Sequence, residues 1–272
     1  MSIILLDPGH GRYGNRSPVD HDFYEGSRMW RLSEMLKDKL TRKGFEVFTT
    51  RLHLDDDPSL YERGSMAGRV GADLFLSLHA NAVSIAPDGS FDLTKRGVVG
   101  CVSQRDLLNN RRLCERFTQA LSALMQNPDL GCFYKDYPDR PGVDYYGVLR
   151  YAAASGCSRA MILEHGYFTN PEDCAFLMRD ENLELLAQSE CAVICDHFGA
   201  QKMYRVQVGA YRYRVNAERK EAQLKEKGFD CFIWQGDGWY RVQAGAFLLF
   251  ENAKALCAKL NAQGFETYIL YD

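Results

Sequence analysis

The sequence predicts an α/β fold, with a mostly parallel sheet flanked by helices, followed by a small α+β domain of βαββαβ order. Residues 1–199 alternate short apolar runs with amphipathic stretches, the pattern of a parallel sheet with crossover helices. The tail repeats itself: Tyr204-Arg-Val-Gln-Val-Gly-Ala210 recurs as Tyr240-Arg-Val-Gln-Ala-Gly-Ala246, an offset of 36 residues. No apolar run approaches the length that crosses a bilayer, so a membrane-spanning reading is excluded at the outset.

Taken in order, Ile3–Leu6, Glu46–Thr50, Leu74–His79, Val98–Ser103 and Arg159–Leu163 read as strands of the larger domain. Residues 25–43, 106–126 and 181–198 read as its helices. Glu25, Met29, Leu32, Leu36 and Leu40 form one stripe of the first helix, which places Glu25 on the face that turns inward. Segment 128–146, with three prolines and two glycines, reads as loop. A very short linker near Gly199–Met203 separates domains spanning 1–199 and 203–272.

In the tail, the 36-residue offset also maps Asn216-Ala217 onto Asn252-Ala253, Leu224 onto Leu260 and Gly228-Phe229 onto Gly264-Phe265. Each copy opens with a strand-like alternation and continues through a helix such as Asn216 to Lys227. Gly228 stops that helix, and a second strand, Phe229 to Trp234, follows. Two copies make a four-stranded antiparallel sheet backed by two helices. If Tyr204, Val206 and Val208 face the helices, Arg205 and Gln207 lie on the open face. Trp239, Arg241 and Gln243 share that outward parity, and Phe232, Trp234 and Tyr268 join them. Arginine, glutamine and aromatic rings on an open sheet suit a ligand with flat apolar faces and hydroxyls, such as a sugar chain. An RNA-recognition sheet also stacks bases on aromatics, but Gly238 to Phe247 lacks the aromatic-rich consensus that such sheets use. An ordinary solvated sheet surface is the plain alternative.

The chain carries 33 Lys and Arg against 36 Asp and Glu, a formal charge of -3. From residue 200 onward the balance is 11 basic to 8 acidic, and neither part has a nucleic-acid-binding excess. No basic stretch leads into an apolar core at the start, so synthesis in the cytoplasm without a signal peptide is expected. Nine cysteines, at 101, 114, 132, 157, 174, 191, 195, 231 and 257, include no Cys-x-x-Cys pair and suit a reducing compartment. Cys191 and Cys195 fall on one helix face.

In open α/β sheets, ligands bind beyond the carboxyl ends of the strands. His10 follows the first strand in Asp7-Pro-Gly-His-Gly11, His79 closes Leu74-Phe-Leu-Ser-Leu-His79, and Glu164 closes Met161-Ile-Leu-Glu164. Each of these alone fits a hydrogen-bonded rim residue. Glu25 stands apart, because a carboxylate buried on a helix face needs a cationic partner. Two histidines and a carboxylate around zinc supply one. A favourable place at the helix N-terminus is the simpler account if Glu25 is exposed.

These motifs together resemble those of the zinc-dependent N-acetylmuramoyl-L-alanine amidases: Asp7-Pro-Gly-His-Gly11, Glu25 opening a helix, Ala72 to Ala82 around His79, and Leu163-Glu-His-Gly-Tyr-Phe-Thr-Asn170. Arg51 and Leu60-x-x-Arg63 also fall where that family has them. The tail resembles the SPOR domain, whose family binds peptidoglycan glycan strands, and its Val-Gln-x-Gly-Ala core appears at 206–210 and 242–246. The combined architecture resembles mother-cell lytic amidases of spore-forming bacteria and certain phage endolysins.

The resemblance implies Zn2+ held by His10, Glu25 and His79, with Glu164 as the catalytic carboxylate that takes the proton of water and delivers it to the leaving L-alanine amine. It implies cleavage of the amide between N-acetylmuramic acid and L-alanine. Arg205, Gln207, Trp239, Arg241 and Gln243 are the expected glycan-binding residues. Expected partners are peptidoglycan alone, with no nucleic acid or membrane, and a monomeric enzyme that meets the wall after lysis or release. Three positions depart from the family pattern: Arg12, Gly26 where lysine is frequent, and His165 where a small or polar residue is usual. His21 is a rival ligand in the loop before Glu25. Two other readings stand beside this one, a catalytically silent wall-binding protein and a zinc peptidase cutting within the stem peptide.

Overall fold

A computed structural model describes residues 2–199, 203–247 and 249–271. The chain divides into two compact units, with the main boundary after Gly199. Most of the expected linker, residues 200–202, lies outside the described residues.

The first unit runs β1 (Ile3–Pro8), α1 (Glu25–Arg42), β2 (Glu46–Thr49), α2 (Leu60–Val70), β3 (Leu74–Asn81), β4 (Val98–Val102), α3 (Leu107–Met125) and β5 (Asp129–Phe133). It continues through β6 (Asp136–Tyr137), β7 (Arg140–Asp144), α4 (Gly147–Ala154), β8 (Ala160–Tyr167), α5 (Pro171–Leu177) and α6 (Asp180–Phe198). Six strands form one sheet in the order β2-β1-β3-β8-β4-β5, parallel except where β4 meets β8.

Strand alternation sends neighbouring side chains to opposite faces, and each face has its own core. Ile4, Leu6, Leu74, Leu76, Leu78, Met161 and Leu163 pack with the buried stripes of α1, α3 and α6. Leu5, Phe75, Ala160 and Ile162 pack on the other face with Ala67 of α2 and Val148, Leu149 and Ala152 of α4. This parity decides where the polar residues go. Asp7, Ser77, His79 and Glu164 share the α2/α4 side, whereas His165 points into the α1/α3/α6 side.

Helix α2 escaped the periodicity reading, since only Arg63, Gly64 and Ala67 are buried along it. Its ends are nonetheless written locally, by a Ser59/Glu62 capping box and by Gly71 in the left-handed region. Segment 128–146 is ordered rather than loop: β5 joins the main sheet, and β6 pairs with β7 as a separate hairpin. Its prolines and glycines sit at turns and edges, where they do not interrupt a central ladder. β8 also runs to Tyr167, past the expected stop at Leu163.

The second unit comprises β9 (Tyr204–Tyr211), α7 (Arg214–Glu226), β10 (Phe232–Gly236), β11 (Trp239–Phe247), α8 (Phe250–Ala262) and β12 (Tyr268–Tyr271). Its sheet, ordered β10-β11-β9-β12, is antiparallel throughout. Val206, Val208 and Val242 are buried against Ala217 and Leu224 of α7 and Ala253, Cys257 and Leu260 of α8. The opposite face carries Gln207, Arg241, Trp234 and Phe232, as the alternation requires.

Candidate active site

Three chain segments bring the expected ligands together. His10 sits in the turn after β1 with a positive φ of 59°, a conformation few non-glycine residues adopt and one that recurs at functional sites. Glu25 opens α1 and is 1% exposed. His79 projects from β3 toward both. The side-chain ligand atoms of His10, Glu25 and His79 lie within 4.8 Å of one another. His21, the rival, is exposed and outside this cluster.

The cluster is held by hydrogen bonds. Glu25 Oε1 lies 2.8 Å from His79 Nδ1 and accepts the Ala80 amide at 3.0 Å. Asn15 Nδ2 donates to Glu25 Oε2 at 2.7 Å and lies 3.1 Å from His10 Nε2. Burial pushes Glu25 upward, but the hydrogen bond and charge of His79, with the charge of His10, outweigh it and keep the carboxylate below its usual pKa. His79 is largely shut from solvent, yet Glu25 lifts its pKa. His10 goes the other way, because burial outweighs the attraction of Glu25. Two imidazoles beside one ionised, buried carboxylate form a donor set that zinc accepts, so the residues present fit the metal.

Glycines make the close approach possible. A Cβ on Gly9 would stand 2.3 Å from the His79 ring, and one on Gly26 would stand 1.8 Å from the Gly11 carbonyl oxygen. Gly26, the position where lysine is frequent in the family, therefore has a steric reason in this chain. Arg51 is fully buried and donates to the carbonyls of Gly26, at 2.9 Å, and Leu54, tying the segment after β2 to the start of α1.

Glu164 stands beside His79, its direct partner in the β3–β8 ladder. Its Oε2 is shut from solvent and has no hydrogen-bond partner among the described residues. Burial pushes its pKa up to about 7; the His79 charge opposes this and the Glu25 charge adds to it. A carboxyl poised near neutrality suits proton transfer. Glu164 lines an open cleft of about 540 Å³ with His10, His79, Arg63, Asp57 and Tyr146, over an apolar floor that includes Val148 and Ile162.

Behind the cluster lies a buried polar layer that pairs two motif residues, Asp7 and Arg63, a partnership the motifs themselves do not show. Arg63 grips Asp7 with two bonds, of 2.7 and 2.8 Å, and Ser77 and Thr50 each donate to Asp7 at 2.6 Å. The Arg63 Nη2 reaches within 3.5 Å of His79 Nε2. Burial works against the Asp7 carboxylate, but Arg63 and the hydroxyls hold its pKa below the usual range. Asn15 was also missed, because a single asparagine in a polar loop carries no spacing signal.

On the tail's open face, the Arg241 guanidinium lies 4.7 Å from the centroid of the Trp234 ring and donates to the Gly236 carbonyl at 2.7 Å. Arg212 stacks 4.0 Å over Trp239. Arg205 and Gln207 are half-buried. Gln243, expected to face a ligand, is only 4% exposed. It sits on β11 between β10 and β9, opposite Phe232 and Gln207, so little of its side chain is on offer.

Two histidines and two carboxylates thus converge from the ends of β1, β3 and β8 and the start of α1 beside an open cleft, a grouping suited to hydrolysis. The family follows from comparison: residues 4–196 match the family model described as N-acetylmuramoyl-L-alanine amidase, and residues 200–271 match the SPOR domain. The chain belongs to the N-acetylmuramoyl-L-alanine amidase family and carries a C-terminal SPOR domain. It is 27% identical over 241 residues to the N-acetylmuramoyl-L-alanine amidase CwlM of Bacillus licheniformis, covering 86% of this chain and 85% of that one. It is 25% identical over 241 residues to the sporulation-specific N-acetylmuramoyl-L-alanine amidase of Bacillus subtilis (strain 168), covering 86% and 84%.

Among solved structures, the fold is similar to that of the N-acetylmuramoyl-L-alanine amidase from Clostridium difficile 630. The TM-score is 0.60 at 19% identity, covering 74% of this chain and 98% of that one. The catalytic domain of CwlV from Bacillus (Paenibacillus) polymyxa var. colistinus gives a TM-score of 0.60 at 20% identity, covering 74% and 99%.

Proposed function

We propose that this amidase hydrolyses the bond between the lactyl group of N-acetylmuramic acid and L-alanine in peptidoglycan, with zinc held by His10, Glu25 and His79. The observation that carries the reading is the convergence of those three ligand atoms within 4.8 Å, beside a carboxyl group with a pKa of about 7. When bound, zinc supplies the Lewis acidity that makes water nucleophilic near neutral pH and polarises the scissile carbonyl.

The chain's own groups do the rest. Glu164 takes the proton of the attacking water as a general base and returns it to the departing alanine amine as a general acid. Its burial, with no hydrogen-bond partner on Oε2 among the described residues, favours the protonated form that the second step needs. Asn15 orients Glu25 and His10, and the Asp7–Arg63 pair braces the strand face that carries His79. The open cleft admits a polymer whose reacting bond lies beside the main glycan strand.

The SPOR domain would hold the enzyme on glycan through Trp234, Trp239 and Arg241, with Arg205 and Gln207 on the same face. Cys101, Cys114, Cys132, Cys157, Cys174, Cys231 and Cys257 are free thiols, in keeping with synthesis in a reducing compartment and action on the wall after lysis or release. Incubating zinc-loaded protein with purified cell walls tests the reading. Peptides with new N-terminal alanine are expected. Fragments cut within the stem peptide would instead identify a peptidase, and walls left intact would identify a binding protein.

A further inference from the structure

His165 departs from the family pattern, and the structure gives that departure a place. It is fully buried on the face of β8 opposite Glu164. Its Nδ1 lies 2.9 Å from the backbone oxygen of His79, and its Nε2 lies 2.9 Å from Oε1 of Glu190, which is fully buried on α6. A carbonyl only accepts, so Nδ1 carries a proton and donates it there. Glu190 faces the other ring nitrogen and sets the plane of the imidazole.

Two ionisable side chains buried in one core are costly unless they bond well. The surrounding face, with Leu76, Leu78, Met161 and Leu163, would be filled more simply by apolar residues. The bond to His79 falls just before a register break between β3 and β8, and Gly166, the next residue, has a positive φ of 77°. Such irregularities re-aim the side chains around them. The imidazole thus holds the β3 backbone at the one residue that pairs with Glu164.

We propose that His165, oriented by Glu190, is a positioning residue that fixes the backbone of His79 and hence the placement of its imidazole against Glu25 and Glu164. This rests on the zinc amidase reading. His165 touches neither substrate nor the cleft, and it acts through His79. Relatives with a small residue at this position would have to hold the same backbone by other contacts.

Zinc affinity, measured by competition with a chromophoric chelator on the full chain, tests this alongside wall hydrolysis. An asparagine amide nitrogen takes the place of Nδ1, whereas glutamine reaches toward Nε2. His165→Asn should therefore keep zinc affinity within about threefold of wild type, while His165→Gln and His165→Ala lose about 10–100-fold, the usual cost of removing a group that orients a metal ligand. In both of these, kcat should fall while KM stays level.

The double variant His165→Leu/Glu190→Leu keeps the core filled and covers the case in which single variants fail to fold; it too should bind zinc more weakly. Wild-type zinc affinity in the double variant or in His165→Gln would overturn the proposal, as would an asparagine variant as weak as the alanine one. A wild-type protein that binds no zinc would overturn the zinc amidase reading along with it.

Discussion

His79 and Glu164 stand opposite each other on parallel strands β3 and β8, both on the sheet face covered by α2 and α4. That pairing makes one side chain a candidate ligand and the other a candidate proton carrier without involving a mobile loop. His10 and Glu25 then approach from the loop and helix that follow β1. Sites built on strands and helix ends hold their geometry better than sites built on loops alone.

The proton-carrying role predicts that Glu164→Gln lowers kcat on cell walls by about 10²–10⁴-fold, the range for loss of a general acid–base group. Zinc content should not change. Release of N-terminal alanine, with metal analysis of the same sample, checks both.

Glu164 also sets a pH dependence of stability in the zinc-free protein. Its folded pKa of about 7 lies above the ordinary 4.5, so its favourable contribution is complete below 4.5 and is lost as pH rises through 7. Chelator-treated wild type should therefore lose melting temperature relative to Glu164→Gln between pH 4.5 and 7.5. Parallel melting curves over that range would refute the assignment.

Asp7 has the opposite sign. Its folded pKa lies below the ordinary 3.8, so its contribution is present above that pH and disappears on acidification. Asp7→Asn leaves Arg63 buried without its ion-pair partner and should cost about 3–5 kcal/mol at pH 7. The gap from wild type should narrow below pH 4, as followed by urea titration.

Gly26→Ala should disorder the site while sparing the two cores. Its Cβ would meet backbone, the Gly11 carbonyl, which cannot swing aside as a side-chain tip would. The expected result is a folded protein with zinc affinity reduced by about tenfold or more, in line with losses from misplaced orienting groups. Equilibrium dialysis against a zinc buffer reads it directly.

Removing residues 200–272 should leave hydrolysis of a soluble muramyl peptide unchanged, because the first unit has its own cores. Retention on sedimented peptidoglycan should fall. In the full chain, Trp234→Ala and Arg241→Ala should each weaken wall binding by about 5–30-fold, since stacking is worth about 1–2 kcal/mol in such settings. Unchanged sedimentation would remove the tail from the wall-binding role.

The sequence alone determined the periodic features of this protein. Strand runs such as Leu74–His79, the α1 stripe from Glu25 to Leu40 and the 36-residue repeat each follow from spacing along the chain, which local geometry turns into faces. The four motifs around His10, Glu25, His79 and Glu164 were legible for the same reason, each tied to the end of a recognisable element.

Other features required the tertiary structure. α2 shows almost no apolar stripe because it packs chiefly on α4 through small residues, Gly64, Ala67 and Gly68, and β5 to β7 hide among prolines and glycines. Asn15, the Asp7–Arg63 pair and the His165–Glu190 pair join residues 10, 56 and 25 positions apart. No spacing rule links such pairs, because their partnership depends on which sheet face each side chain enters. Packing, not sequence proximity, fixes that, and it also set the pKa of Glu164, which depends on burial.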